Sequence, residues 1–209
     1  MSHAADERQV LADALAEAGP DAPTLCAGWT AHDLAAHLVA REHRPDSAPG
    51  VWLRPLAGWT ERVRRTQARR PFDELVRVFR SGPPALGWSR LPGVDAQFNL
   101  TEHFVHAEDV RRAGTDWEPR NLSFDMEKAL WHQVVGVARA RYRHSPVGVV
   151  MAVPDGPRRV VHRGPDTATL TGASGELLLF TMGRRAHARV EVDGSQAAVA
   201  RVTGLDLDV

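Results

Sequence analysis

The sequence has very little cysteine and no long apolar segment. Cys26 is its one cysteine among 209 residues, so no disulfide can form within the chain. No apolar run approaches the roughly 20 residues that cross a bilayer. The opening stretch MSHAADERQV also lacks the apolar core of a signal peptide. We therefore expect a soluble, cytoplasmic protein that does not interact with membranes.

The sequence also carries no net charge. It carries 26 basic and 26 acidic residues, and this balance gives no reason to expect a nucleic-acid partner. Lysine is nearly absent, because Lys128 is the single example, and we attribute the abundant arginine to coding bias rather than to phosphate binding. Hydrophobic residues make up 43% of the chain, which is enough for one large core or two small ones.

Helical periodicity fills the first two thirds of the chain. Apolar spacing, caps and breakers predict helices over 4–18, 31–43, 56–69, 72–81, 95–113 and 124–143. Prolines and glycines predict loops over 45–58 and 82–93, and we expect the second loop to cover the mouth of a helical bundle.

The pattern changes at Pro146. Short β-rich runs predict strands over 147–153, 158–163, 167–172 and 188–194, with short helices over 174–183 and 195–204. The predicted fold is therefore α+β with two domains. Residues 1–145 form an all-helical bundle, and residues 146–209 form a small α+β domain.

The helix predicted over 95–113 carries the most informative polar residues. Glu102, His106 and Asp109 are spaced by four and three, so they share one face, which we expect to lie toward the core. On the opposite side of this helix we expect Phe104, Ala107 and Arg111. A buried carboxylate needs compensation, which either a metal ion or a facing arginine would provide. The sequence leaves both alternatives open.

A metal site needs a further ligand from a different helix. His37 is the best candidate, because the helix over 31–43 is capped by Thr30 and presents His37 at the edge of the core. Two histidines and one carboxylate form a ligand set used by catalytic zinc and by other divalent ions. Asp109 would be a fourth ligand or would orient a histidine ring. The alternative is a hydrogen-bonded core histidine, because Glu-x-x-x-His is a weak motif.

Three other residues have simpler interpretations. We expect Cys26 to be a small packing residue rather than a reactive thiol, and His103 to lie on the surface. Arg184 follows a buried segment, and it suits either an anionic substrate or a solvated helix end.

Several stretches resemble one known superfamily. TLCAGWTAHDLAAHLVARE resembles the second-helix signature of the DinB-like, mycothiol-dependent maleylpyruvate isomerase N-terminal domain. HFVHAEDVRRAG, with the preceding Glu102, resembles its second metal-ligand segment, and GELLLFTMGRRAHARVEVDG resembles its small C-terminal domain. The segments LCAGW, RPFDELV, SGPP, EDVRRA and PVGVV are similar to those of an uncharacterised metal-binding branch.

The resemblance implies both a fold and a metal site. It implies a DinB-like four-helix bundle in which zinc or nickel is held by three side chains, which correspond here to His37, Glu102 and His106. It also implies mycothiol as a possible cofactor, so that the metal would activate a small-molecule thiol toward an electrophilic substrate. Asp109 would then support the site, and Arg184 or Arg41 would bind a substrate carboxylate.

Two other functions stay open at this point. The metal would be structural or sensory in a protein without catalysis, with the small domain binding a partner. Alternatively, metal-bound water would hydrolyse a substrate, with Asp109 or Glu108 as general base. We expect a monomer or a homodimer in either case.

Overall fold

The chain folds into two compact units. A computed structural model describes residues 2–43, 57–83 and 94–205. The first unit spans Met1–Trp117 and the second spans Glu118–Val209. Most of the loops predicted over 45–58 and 82–93 lies outside the described residues, and so does the expected cover over the bundle mouth. Within the described ranges, no helix has the length and apolar character needed to cross a bilayer.

The regular secondary structure in the described residues of the first unit is helical, apart from an isolated β-bridge between Pro23 and Thr30. Its helices are α1 (His3–Ala18), α2 (Ala31–His43), α3 (Ala57–Gln67), α4 (Phe72–Ser81) and α5 (Val94–Arg111). Helix α1 packs along α5 and against α4, while α2 packs against α3 and α4. All five predicted helices of this part are confirmed, each with its ends within two residues of the prediction.

The core of the first unit explains why these helices form and pack. Apolar side chains recur at helical spacing and meet in one cluster that includes Leu11, Leu15, Leu34, Leu38, Leu75 and Phe79, each at most 1% exposed. Burying each such side chain contributes about 1.5–3 kcal/mol.

A capping box sets the start of α2. The backbone N–H of Thr30 donates to Asp33 Oδ2 at 3.3 Å, and the N–H of Asp33 donates to Thr30 Oγ1 at 3.4 Å. This arrangement confirms the predicted cap. It also fixes the register in which α2 presents His37, two turns further along.

Helix α5 is more deeply buried than its periodicity predicts. Phe104 and Ala107, which we expected on the far side, are 2% and 0% exposed. His103, which we expected at the surface, is fully buried beside the Ala4 carbonyl of α1. These expectations were wrong because α5 has neighbours on more than one face, and a buried polar residue with partners looks like a surface residue in the sequence.

The second unit combines three helices with a four-stranded sheet in its described residues. The helices are α6 (Phe124–Arg141), α7 (Ser174–Thr181) and α8 (Gln196–Thr203), with a 3-10 turn at Arg185–His187. The strands are β1 (Gly148–Ala152), β2 (Arg158–His162), β3 (Thr167–Thr171) and β4 (Glu191–Asp193). Their order is β2-β1-β3-β4, with β1 parallel to β3 and the other pairs antiparallel. The predicted strands and helices are confirmed.

The division between the units falls before α6 rather than at the predicted residue 145. Helix α6 packs against α7 of the second unit, where the N–H of Ser174 donates to Glu127 Oε2 at 2.9 Å. A helical first part and a small α+β second part are therefore confirmed. The four-helix bundle over 1–145 stays a prediction, because the helix we assigned to it lies in the second unit.

Candidate metal centre

Three predicted ligands from two helices converge in the first unit. Nε2 of His37 and Nε2 of His106 each lie 3.3 Å from Oε1 of Glu102. The three donor atoms all lie within 4.8 Å of one another. Ligand atoms about 2.0–2.2 Å from a zinc-like ion are separated by roughly 3.3 Å, so this donor set fits one divalent ion.

The ring of His37 is held by its neighbours. The Trp29 ring centroid lies 5.1 Å from that of His37, and the Arg64 guanidinium carbon lies 5.1 Å from the Trp29 ring. On its other side, the His37 ring meets the His106 ring edge to face, with centroids 5.6 Å apart. Trp29 thus forms one wall of the centre, a role that the sequence suggested only by its place just before α2.

Asp109 fixes the orientation of the His106 ring. Its Oδ2 accepts a hydrogen bond from His106 Nδ1 at 2.9 Å, and the side chain is fully buried. A proton held on Nδ1 leaves Nε2 as the ring nitrogen available to a cation. This contact agrees with the predicted orienting role of Asp109 and does not place Asp109 among the three converging donors.

His106 is the most basic group of the centre. Burial lowers the pKa of His106, but the hydrogen bonds to Asp109 and Cys26 and the nearby Glu102 outweigh it and hold that pKa well above the ordinary value. The two ring nitrogens face carboxylates on both sides, Nδ1 toward Asp109 and Nε2 toward Glu102. A cation at Nε2 would bind the tautomer whose proton stays on Nδ1.

Glu102 is ionised and His37 is neutral. Burial raises the pKa of Glu102, but Arg41, His106 and His37 outweigh it and hold that pKa well below the usual range. Burial is the main reason that the pKa of His37 is lowered. A carboxylate and a neutral imidazole are the forms that bind a metal.

The sequence left two ways to compensate the Glu102 carboxylate, a facing arginine or a metal ion. In the structure, an arginine and the candidate metal position both lie beside it. Arg41 is the facing arginine, with Nε 3.4 Å from Glu102 Oε1, and its Nη1 donates to Asn99 Oδ1 at 2.8 Å. Arg41 thus contacts both Glu102 and Asn99, and its role in binding a substrate carboxylate stays a prediction.

The centre reaches solvent. The side chains of His37, Glu102 and His106 are 20%, 24% and 12% exposed. The three side chains are therefore partly exposed rather than enclosed in the core.

Cys26 lies closer to this centre than the sequence indicated. Its thiol packs against the helical core, as predicted, but also donates to Asp109 Oδ2 at 3.2 Å and lies 3.8 Å from His106 Nδ1. Cys26, His106 and Asp109 thus form a second set of donors within 4.8 Å of one another. In the sequence, the sign of this contact was the place of Cys26 just before the helix of His37. That place alone does not reveal a contact with Asp109, which lies 83 positions away.

The other predicted functional residues lie elsewhere. Glu108 is fully buried, and its carboxylate accepts from Arg111 at 2.8 Å and from Arg112 at 2.5 Å. Arg184 belongs to the second unit, where its Nη1 donates to the Met182 carbonyl oxygen at 2.6 Å. A role of Arg184 in substrate binding stays a prediction.

Comparison with models of known protein families finds similarity in the first part of the chain. Residues 1–86 match the family model of the mycothiol maleylpyruvate isomerase N-terminal domain. This confirms the resemblance over a segment that holds Cys26 and His37 and ends before Glu102 and His106. The finer assignment to a metal-binding branch stays a prediction. No curated protein and no solved structure shows significant similarity.

Proposed function

Because residues 1–86 match the mycothiol maleylpyruvate isomerase N-terminal domain, we propose that this protein is a metal-dependent enzyme acting on a low-molecular-weight thiol. His37, Glu102 and His106 would hold one divalent ion, with zinc and nickel as the first candidates. The thiol would be of the mycothiol type, and the reaction a transfer or an isomerisation. The observation that carries the proposal is the convergence of two imidazole nitrogens and one carboxylate oxygen within 4.8 Å.

The donor number and the exposure favour catalysis over a structural role. Structural zinc sites are closed by four protein ligands, whereas catalytic sites have three and keep a position open. Among the residues that the structure describes, three donors converge here, and their side chains are between 12% and 24% exposed. A thiol entering from solvent would find the open side of the donor set.

The chain's own residues prepare the centre for that chemistry. When bound, a divalent ion supplies Lewis acidity that lowers the pKa of a thiol and makes it a nucleophile near neutral pH. Asp109 holds the proton on His106 Nδ1 and so aims Nε2 at the ion. Arg41 holds Glu102 in its ionised form, and Trp29 supports the ring of His37.

The described side chains do not favour the hydrolase alternative. A hydrolase needs a carboxylate that is ready to take a proton from water. The Glu108 carboxylate is buried against two arginines, and the Asp109 carboxylate is engaged by His106 and Cys26.

Metal content provides the first test. Elemental analysis of the purified chain should find about one divalent ion per chain. His37→Ala, Glu102→Gln and His106→Ala, each combined with Cys26→Ala so that the neighbouring thiol cannot hold an ion, should lose it, since a missing donor costs more than the roughly 10- to 100-fold affinity loss of an outer partner. His32→Ala is a matched control on the same helix, because Nε2 of His32 lies 3.1 Å from the Arg70 carbonyl oxygen, away from the centre. Metal retained by all three ligand variants would contradict the proposal.

Thiol consumption provides the second test. The metal-loaded wild type should join mycothiol to activated alkenes, epoxides or halides, and the Glu102→Gln variant should not. A metal-loaded protein that leaves the thiol untouched across this panel would instead support a sensory or structural metal.

A further inference from the structure

The two edges of the His106 ring face two different donor sets. Nε2 faces Glu102 and His37, whereas Nδ1 faces Cys26 and Asp109. On the Nδ1 side, Asp109 Oδ2 lies 2.9 Å from Nδ1 and 3.2 Å from Cys26 Sγ, and Sγ lies 3.8 Å from Nδ1. Both sets therefore meet at one imidazole.

The donors on the Nδ1 side are spaced for a cation. A zinc-sized ion lies about 2.3 Å from sulfur and about 2.0–2.2 Å from nitrogen or oxygen, which separates neighbouring ligand atoms by roughly 3.2–3.6 Å. The three observed separations, 2.9, 3.2 and 3.8 Å, lie close to that range. The three atoms therefore lie close enough together for one ion to reach all of them.

The loop that carries Cys26 is tied to α5 and to itself. The backbone N–H of Leu25 donates to the Asp109 carbonyl oxygen at 3.0 Å. The N–H of Cys26 donates to Thr24 Oγ1 at 3.2 Å, and that hydroxyl donates to the Trp29 carbonyl oxygen at 2.9 Å. The thiol is thereby held beside His106, which lowers the entropic cost of using it as a ligand.

We propose that Cys26, Asp109 and Nδ1 of His106 form a second cation position that is selective for a thiophilic ion such as Cd²⁺, Cu⁺ or Zn²⁺. Sulfur selects soft ions, whereas the donor set of His37, Glu102 and His106 contains only nitrogen and oxygen. An ion there binds the Cys26 thiolate, so the thiol proton is released to solvent, and it binds the His106 tautomer that carries its proton on Nε2, where that proton faces Glu102. Because one neutral imidazole cannot give lone pairs from both nitrogens, the two positions compete.

This inference does not rest on the proposed function. The second position uses neither His37 nor Glu102, so variants can remove either position and leave the donors of the other. An ion that entered the second position would take Asp109 and Nδ1 out of their hydrogen bond, and would weaken the first position without occupying it.

Absorption spectroscopy isolates this position, because Cys26 is the one cysteine of the chain. The full-length protein, stripped of metal and kept reduced, would be titrated with Cd²⁺ and with Co²⁺. Any sulfur-to-metal charge-transfer band must come from the Cys26 thiolate. We expect that band in His37→Ala, saturating at one ion per chain, and its complete loss in Cys26→Ala. Cys26→Ala should still bind an ion at the first position by elemental analysis.

Asp109→Asn tests whether the set is a three-donor site. We expect the Cd²⁺ concentration at half-saturation of the band to rise about 10- to 100-fold. An unchanged midpoint would overturn the role of Asp109 as a ligand. If His37→Ala is folded by circular dichroism and still gives no charge-transfer band, the second position is overturned. The two proposals fail separately. The metal content of Cys26→Ala, with and without His37→Ala, tests the first position alone, and the band in His37→Ala tests the second.

Discussion

Two histidines three residues apart on α5 belong to opposite kinds of polar cluster. The inner cluster consists of Arg8, Glu42 and His103, and the outer cluster consists of Cys26, His37, Glu102, His106 and Asp109. Nδ1 of His103 lies 2.9 Å from the Ala4 carbonyl oxygen, and its Nε2 lies 3.3 Å from Glu42 Oε1. Arg8 closes the inner cluster with a 2.5 Å contact to Glu42 Oε2.

The difference shows what separates a structural histidine from a candidate ligand. In the inner cluster, the carboxylate has a guanidinium partner, and His103 has no exposed surface. In the outer cluster, two ring nitrogens and the Arg41 guanidinium meet one carboxylate oxygen, and the side chains of His37, Glu102 and His106 reach solvent. We infer that the inner cluster stabilises the fold, whereas the outer cluster can exchange a proton for a cation.

Breaking the inner cluster at Arg8 should have the largest effect on stability. Arg8→Met leaves the Glu42 carboxylate buried without its guanidinium, which should lower the free energy of unfolding by about 3–5 kcal/mol. Urea denaturation measures this loss, and Arg65→Met is the control, because the side chain of Arg65 is 75% exposed in its pair with Glu61. A loss below that of the control would show that the inner cluster adds no stability.

A matched pair of histidine variants should separate the two clusters. His103→Ala opens a cavity and removes a partner of Glu42, so we expect a loss of about 2–3 kcal/mol with unchanged metal content. His37→Ala should cost about 1 kcal/mol or less in the metal-free protein, because its side chain is 20% exposed, yet in the Cys26→Ala background it should abolish metal binding. Denaturation and elemental analysis on the same samples give both readouts. Equal losses of stability in His103→Ala and His37→Ala would show that the two clusters contribute equally to the stability of the fold.

A third group of charges, at the surface of the first unit, should show the smallest effect. Glu61 accepts from Arg64 and Arg65, each at 2.7 Å, and the hydrogen bond from Arg64 is the main cause that lowers the pKa of Glu61 to about 2. Asp33 also pairs with Arg64, which outweighs burial and lowers the pKa of Asp33.

A carboxylate with a depressed pKa stabilises the fold above its unfolded pKa and loses that effect as the pH falls. The stability difference between wild type and Glu61→Gln should therefore be about 1 kcal/mol or less near neutral pH, because Glu61 is 38% exposed and screened. It should shrink as the pH falls from 4.5 towards about 2. Urea denaturation across this pH range measures the stability difference. A difference that grows on acidification would show that ionised Glu61 does not stabilise the fold.

The sequence predicted where the helices lie along the chain better than it predicted which of their residues are buried. Periodicity and caps located α2 and α5, and so brought Glu102 and His106 onto one face. The same periodicity placed His103 at the surface, because a pattern of side chains along one helix contains no information about how many neighbours cover it. The contact between Cys26 and Asp109 was equally hidden, since it depends on where a loop crosses α5.

The sequence separation of the donors has a kinetic consequence. His37 and Glu102 are 65 residues apart, so their site exists only after the chain has closed a long loop. In the unfolded chain, the nearest approach to a site is the local pair of Glu102 and His106. A bound ion should therefore leave the folding rate nearly unchanged and slow unfolding instead. A bound metal ion would therefore stabilise the fold after it has formed and would not direct its formation.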